Sequence, residues 1–355
     1  MSSSFSRRSF LQQSTLIAAA GIAAPTILSA KTGGFNAETV VLGHNGFRYR
    51  VVSGWGVLDA GKNPVNDCHE MVLDAKGRII LLTNETKNNI LVYDKSGKLL
   101  ESWGHEYPGG HGLTLGGEGN DQYLLICDTD RHQVIKTDLK GRELMKLDYP
   151  KETGAYAYPS QFKPTETAIN PANGDIYVVD GYGLNYVTQY DKTGKLIRYW
   201  GGKGDTNDTF DCCHGIVVDR RTANPTLLIT DRRHNALKRF SLDGKYLATI
   251  ALPGSYICRP VIHGENIYGA VFRSTSDSYP DSGYITILDK NDRVISTPGG
   301  SEPVYEGAKL MEQRKDRTVS AFLHPHDVLI DEDDSIYVAQ WNSKKTYPIK
   351  LERVA

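Results

Sequence analysis

Along most of the chain, apolar and polar residues alternate with the period of two that half-buried strands require. "HEMVLDAKGRIILLTN" from His69 and "TETAINPANGDIYVVD" from Thr165 are examples. Few stretches show a helical period. One pattern recurs: "VYDKSGKLLESWG" at 92–104 returns as "QYDKTGKLIRYWG" at 189–201, with weaker copies at 136–144, 239–247 and 287–295. Each copy reads as a hairpin whose turn carries Gly97, Gly141, Gly194, Gly244 or the pair Asn291-Asp292. Another alternating pair precedes each hairpin. Four strands per unit, at a spacing of roughly 45 to 55 residues, predict the blades of a β-propeller.

The hairpins count five blades, and the chain stops at "IKLERVA" where the outer strand of a sixth should follow. "FRYRVVSGWG" at 47–56 has the strand-then-Trp-Gly ending of "LLESWG" and "LIRYWG". The expectation is therefore an all-β, six-bladed propeller over 47–355, closed by the N-terminal strand completing the last blade, with 31–46 as a lead-in. Closure leaves no long sheet edge exposed. A ring closed in this way needs no partner to cover an edge, so a monomer is expected.

Residues 1–30 stand apart from this pattern. "SRRSFLQQ" followed by "STLIAAAGIAAPTILSA" reads as a twin-arginine export leader, with Arg7-Arg8, then Phe10 and Leu11, and a small-residue cleavage site at Leu28-Ser29-Ala30. Gly21 and Pro25 interrupt the apolar run, which falls short of the roughly 20 residues of a membrane span. The expectation is a protein carried by the twin-arginine export machinery to the periplasm or the medium, with no membrane span once the leader is removed. That route transports folded cargo, often with a cofactor loaded. The leader holds two arginines and no acidic residue, so its removal takes the net charge from −1 to −3, which excludes a basic nucleic-acid binder. The five cysteines are an odd number, leaving at least one thiol unpaired in an oxidising compartment.

The candidate chemistry lies at the strand entrances. In a propeller the innermost strands start at the central channel, and their first residues face one another. In blade order those residues read His69, His111, Thr165, His214, Arg259 and His326. His111, His214 and His326 fall on alternate blades, about 120° apart around a six-fold ring. Three imidazoles converging on one point with an open position suit catalytic Zn²⁺, and nitrogen-rich ligation argues against Ca²⁺ or Mg²⁺ there while leaving Cu, Ni and Fe as alternatives. His69, followed by Glu70, reads as a fourth ligand, an acid/base group or a rim residue. His324, in "HPHDV", is either on the strand or in the loop before it.

These segments resemble those of NHL-type six-bladed propellers, and within them the peptidyl-α-hydroxyglycine α-amidating lyases. The likeness spans roughly 80–355 and is carried by "HGL…DRHQVIKTD" (111–138), "KPTETAINPANGDIYVVDGYG" (163–183), "HGIVVD…ITDRRHNALKRF" (214–240) and "HPHDVLIDEDDSIYVA" (324–339). The resemblance implies zinc on His111, His214 and His326, a tyrosine base at Tyr182, an active-site arginine at Arg232, and a structural calcium on Asp327 and the Leu113 carbonyl. A phenol beside a metal is expected to have its pKa lowered enough to take a proton. The chain departs from the family in four places: Lys87 is the only cation where the family has a first-blade arginine, His324 replaces a methionine, Gly183 a cysteine, and His69 adds an imidazole outside the family pattern.

The expected function is that of an exported zinc-dependent propeller lyase, cleaving a peptidyl- or N-acyl-α-hydroxyglycine to an amide and glyoxylate, so the partner is a small-molecule or peptide substrate. The alternatives are a non-catalytic propeller that binds a protein or polymer through aromatic segments such as 149–162 and 274–284, and a metal-dependent hydrolase or lactonase.

Overall fold

The structure, a computed structural model, describes residues 40–274 and 283–354. The export leader, most of the lead-in and most of the aromatic segment 274–284 lie outside the described residues. Among the described residues the only helical pieces are four single 3-10 turns, and no helix is long and apolar enough to cross a membrane.

Six antiparallel sheets form the blades, as the repeat predicts. Blades 1 to 5 have four strands each, with inner strands Cys68–Leu73, Gly110–Gly116, Glu166–Ile169, Ile216–Asp219 and Ser255–His263. Blade 6 starts with Pro325–Ile330 and runs through Ile336–Gln340 and Ile349–Val354 to Phe47–Val52, which pairs antiparallel with Ile349–Val354 from Arg48↔Val354 to Val52↔Lys350. The N-terminal strand thus closes the ring. The lead-in contributes more than expected, because Val41–His44 adds a fifth strand outside it. Each inner strand touches the next, and the sixth returns to the first.

Local chemistry explains the recurring motif. In the "DK-G" turns the aspartate side chain accepts backbone N–H groups across the turn, as Asp94 does from Ser96 and Lys98 and Asp191 from Thr193 and Lys195. The turn glycines stand at φ near +90°, and in blade 5 Asp292 takes the same left-handed place. The tryptophan of "SWG" or "YWG" lies against the turn of the following blade. A Cβ on Gly141 would stand 2.7 Å from the Trp103 ring, and one on Gly244 2.8 Å from that of Trp200. Trp55 meets Gly97 in the same way across the closure. The core lies between blades, in clusters of buried Leu, Ile, Val and Tyr such as Tyr49, Tyr268, Val338 and Leu351.

Candidate metal centre

The inner strands of blades 1, 2 and 6 each break register at the entrance, between Cys68 and Glu70, Gly110 and Leu113, and Pro325 and Asp327. Such bulges re-aim side chains. They turn His69, His111 and His326 toward the channel axis, where His214 joins them from the segment before the blade 4 inner strand. All four imidazoles are buried. The rings of His111, His214 and His326 form a near-equilateral triangle with centroids 4.8, 4.8 and 4.9 Å apart. His69 lies against two of its corners, 4.7 Å from His111 and 4.9 Å from His326, so it is part of the cluster and not a solvated rim residue. The ligand atoms of His69, His111 and His326 lie within 4.8 Å of one another, as do those of His214, Cys258 and His326.

A second layer orients the three alternate-blade rings. His111 Nδ1 is 2.8 Å from the Thr165 carbonyl, His214 Nδ1 3.2 Å from that of Cys258, and His326 Nδ1 3.1 Å from that of His69. A carbonyl can only accept, so each Nδ1 carries the proton and each Nε2 presents a lone pair to the axis. The glycine of "HGL" and "HGI" permits this approach, since a Cβ on Gly112 or Gly215 would lie 2.6 or 2.5 Å from the same Thr165 or Cys258 oxygen.

The Nε2 atoms have few donors. Tyr182 Oη stands between two of them, 3.2 Å from His111 and 3.0 Å from His214, and its one proton serves one at a time. His326 Nε2 and His69 Nδ1 are buried with no hydrogen-bond partner. Burial lowers the pKa of His69 to about 3 and holds those of His111, His214 and His326 well below the ordinary range, helped by the neighbouring imidazoles and Arg232. Neutral imidazoles with fixed tautomers and an orphaned lone pair fit a zinc ion.

Tyr182 is 41% exposed by surface area, although protein atoms surround its hydroxyl. Arg232 Nη2 lies 3.4 Å from its hydroxyl, with the guanidinium over the Tyr182 and Phe272 rings. Among the protein groups alone, burial raises the pKa of this phenol, and Arg232 partly opposes the effect; the lowering expected from the sequence is the effect of a bound metal. His324 turns away from the cluster, its ring against Phe272 and Trp341 and its Nδ1 toward the Asn342 carbonyl.

Two placements differ from the expectation. The blade 5 residue level with the imidazoles is Cys258, and Arg259 stands one residue deeper. Asp327 and the Leu113 carbonyl, the expected calcium set, both meet that Arg259. Its Nε is 2.9 Å and its Nη2 3.0 Å from the two Asp327 oxygens, and its Nη1 is 3.4 Å from the Leu113 oxygen. With a guanidinium seated between them, these groups do not fit a calcium ion. A cavity of about 1000 Å³ lies at the other mouth, lined by the far ends of the blade 2 to 5 inner strands with Arg259 among them.

Fold and site together define a six-bladed propeller with an imidazole cluster at one mouth of its axis. No family model matches the chain. It is similar to peptidyl-glycine alpha-amidating monooxygenase A of Xenopus laevis, at 32% identity in an alignment of 292 positions that covers 75% of this chain and 28% of that one. It is also similar to a Caenorhabditis elegans protein named "Probable peptidyl-alpha-hydroxyglycine alpha-amidating lyase", at 22% over 244 residues, 68% of this chain and 63% of that one. The chain spans about a quarter of the length of the first curated relatives. Among solved structures, virginiamycin B lyase of Staphylococcus aureus with quinupristin superposes at a TM-score of 0.53 and 11% identity, covering 90% of this chain and 97% of that one, a likeness of fold alone. The chain is a propeller of NHL type similar to the amidating lyases.

Proposed function

We propose that the chain is a zinc-dependent propeller lyase that cleaves the C–N bond of a peptidyl- or N-acyl-α-hydroxyglycine to an amide and glyoxylate. The observation that carries this reading is the set of three alternate-blade imidazoles, each with Nδ1 on a neighbouring carbonyl and Nε2 toward the axis. The names of the relatives support the reaction class. His111, His214 and His326 hold the metal, with His69 as a further imidazole beside them. A bound zinc would supply Lewis-acid polarisation of a substrate oxygen.

The substrate hydroxyl loses its proton as its carbon–oxygen bond becomes the glyoxylate carbonyl. The C–N bond breaks and the amide nitrogen takes up a proton, so no net proton is consumed. With a zinc ion held by the neighbouring imidazoles, Tyr182 would rest as the phenolate and would receive the first proton, while the Arg232 guanidinium beside its hydroxyl stabilises that phenolate and pairs with the substrate carboxylate. Tyr182 then returns that proton to the departing amide nitrogen and is restored, while His69, neutral and with an unpartnered Nδ1, stands beside the cluster as a further imidazole. In the same reading the first thirty residues direct twin-arginine export to the periplasm or the medium.

Elemental analysis of the full chain, beside His214→Ala and Tyr182→Phe, tests the proposal. The parent should hold about one zinc per chain, lost in His214→Ala and kept in Tyr182→Phe. Glyoxylate release should fall about 10²- to 10⁴-fold in Tyr182→Phe. A parent without a bound transition metal would overturn the enzyme reading and favour a binding module.

A further inference from the structure

Beneath the imidazoles lies a second cluster, which the lyase reading does not use. The bulges that aim His69 and His326 at the mouth send the next residues, Glu70 and Asp327, into the axis, and Glu166 enters it from blade 3. All three carboxylates are buried. Arg259 Nη1 lies 3.6 Å from Glu70 and 3.6 Å from Glu166, in addition to the paired contacts with Asp327. Two backbone carbonyls complete its surroundings, Leu113 at 3.4 Å from Nη1 and Met71 at 3.4 Å from Nη2. One guanidinium from blade 5 therefore meets oxygens of blades 6, 1, 2 and 3.

We propose that Arg259 is the axial cation of this propeller, a side chain filling the seat that a divalent ion would otherwise take, so that the ring closes without calcium. Two observations carry it independently of the lyase reading. The oxygens around the guanidinium are of the kind and number a Ca²⁺ shell draws on, namely carboxylates and backbone carbonyls from several strands. The guanidinium matches the Asp327 carboxylate in the two-pronged geometry that makes arginine suited to buried pairing. A cation at their centre offsets the cost of burying three carboxylates, which otherwise is relieved only by protonation. The Arg259 side chain is 13% exposed, and what it exposes lines the cavity of the far mouth.

The test is thermal unfolding of the full chain after exhaustive dialysis into calcium-free buffer, with and without added calcium chloride, and with calcium and zinc content measured on the same sample. The parent should carry far less than one calcium per chain, and its Tm should not move with calcium. Arg259→Gln should unfold at lower temperature in calcium-free buffer and recover as calcium is added, because an ion that binds only the folded state stabilises it by mass action. A parent that retains stoichiometric calcium, or whose Tm rises with calcium, would overturn the proposal. So would a folded Arg259→Gln that ignores calcium. Should Arg259→Gln fail to fold, the calcium content and calcium response of the parent decide alone. Zinc content is read separately, so loss of the lyase reading would leave this result standing.

Discussion

Gly215 leaves room for the Cys258 carbonyl that orients His214, and a methyl group there would stand 2.5 Å from the carbonyl oxygen and 2.7 Å from the Arg259 Cα. Backbone must then shift, and the Nδ1 contact of His214 is lost with it. If the proposed zinc site is right, Gly215→Ala should therefore weaken zinc binding by about 10- to 100-fold, the usual cost of losing an outer-layer partner. Chelator competition on the purified protein measures it, with far-UV circular dichroism showing that the strands remain. At this scale the sequence showed that a histidine is followed by glycine in "HGL" and "HGI", but not which carbonyl each glycine makes room for, because Thr165 and Cys258 are 54 and 44 residues from the rings they orient. Arg259 was legible as an entrance residue. Its depth was not, since one residue along a strand reverses the face to which the side chain points.

Among elements, the blades join through residues the repeat made visible. The tryptophan ending each "WG" strand abuts the turn glycine of the next blade, so the spacing of the motif reflects a contact between blades. The closing strand does the same for the ring. Leu351 is fully buried, paired opposite Val51 of the N-terminal strand and Ile336 of its own blade. Leu351→Ala should cost about 2–5 kcal/mol by transfer and cavity terms, whereas Leu247→Ala on the exposed outer strand of blade 4 should stay within about 0.5 kcal/mol. Urea unfolding of the two variants checks this. A small effect at Leu351 would mean that the ring does not depend on its closure.

For the whole molecule, charged clamps between blades make stability depend on pH. Asp219 of blade 4 accepts Arg221 and Arg239, and both arginines continue to Asp292 in the blade 5 turn. Burial pushes the Asp219 carboxyl up, but the hydrogen bonds from the two arginines outweigh it and bring it down to about 2. A carboxyl lowered on folding stabilises above its unfolded value, and that stability is lost as pH falls through the folded one. The contribution is at most on the order of 2 kcal/mol, less once solvent screening is counted, and is present above about pH 5 and lost as pH falls through about 2. Asp219→Asn should lower Tm at pH 6 and flatten its decline between pH 4 and pH 2, as followed by scanning calorimetry. An unchanged acid limb would mean that Asp219 does not set it. By itself the sequence determined the strand period, the six-fold repeat, the closure by the N-terminal strand and the alternate-blade histidines, because each is written in local alternation and regular spacing. The tertiary structure alone decided that His69 and Cys258 join the imidazole layer, that Tyr182 stands between two Nε2 atoms, and that an arginine fills the axis below. Those contacts join residues of different blades at the ring's centre, where strand bulges and depth along the axis, not sequence spacing, set which side chains meet.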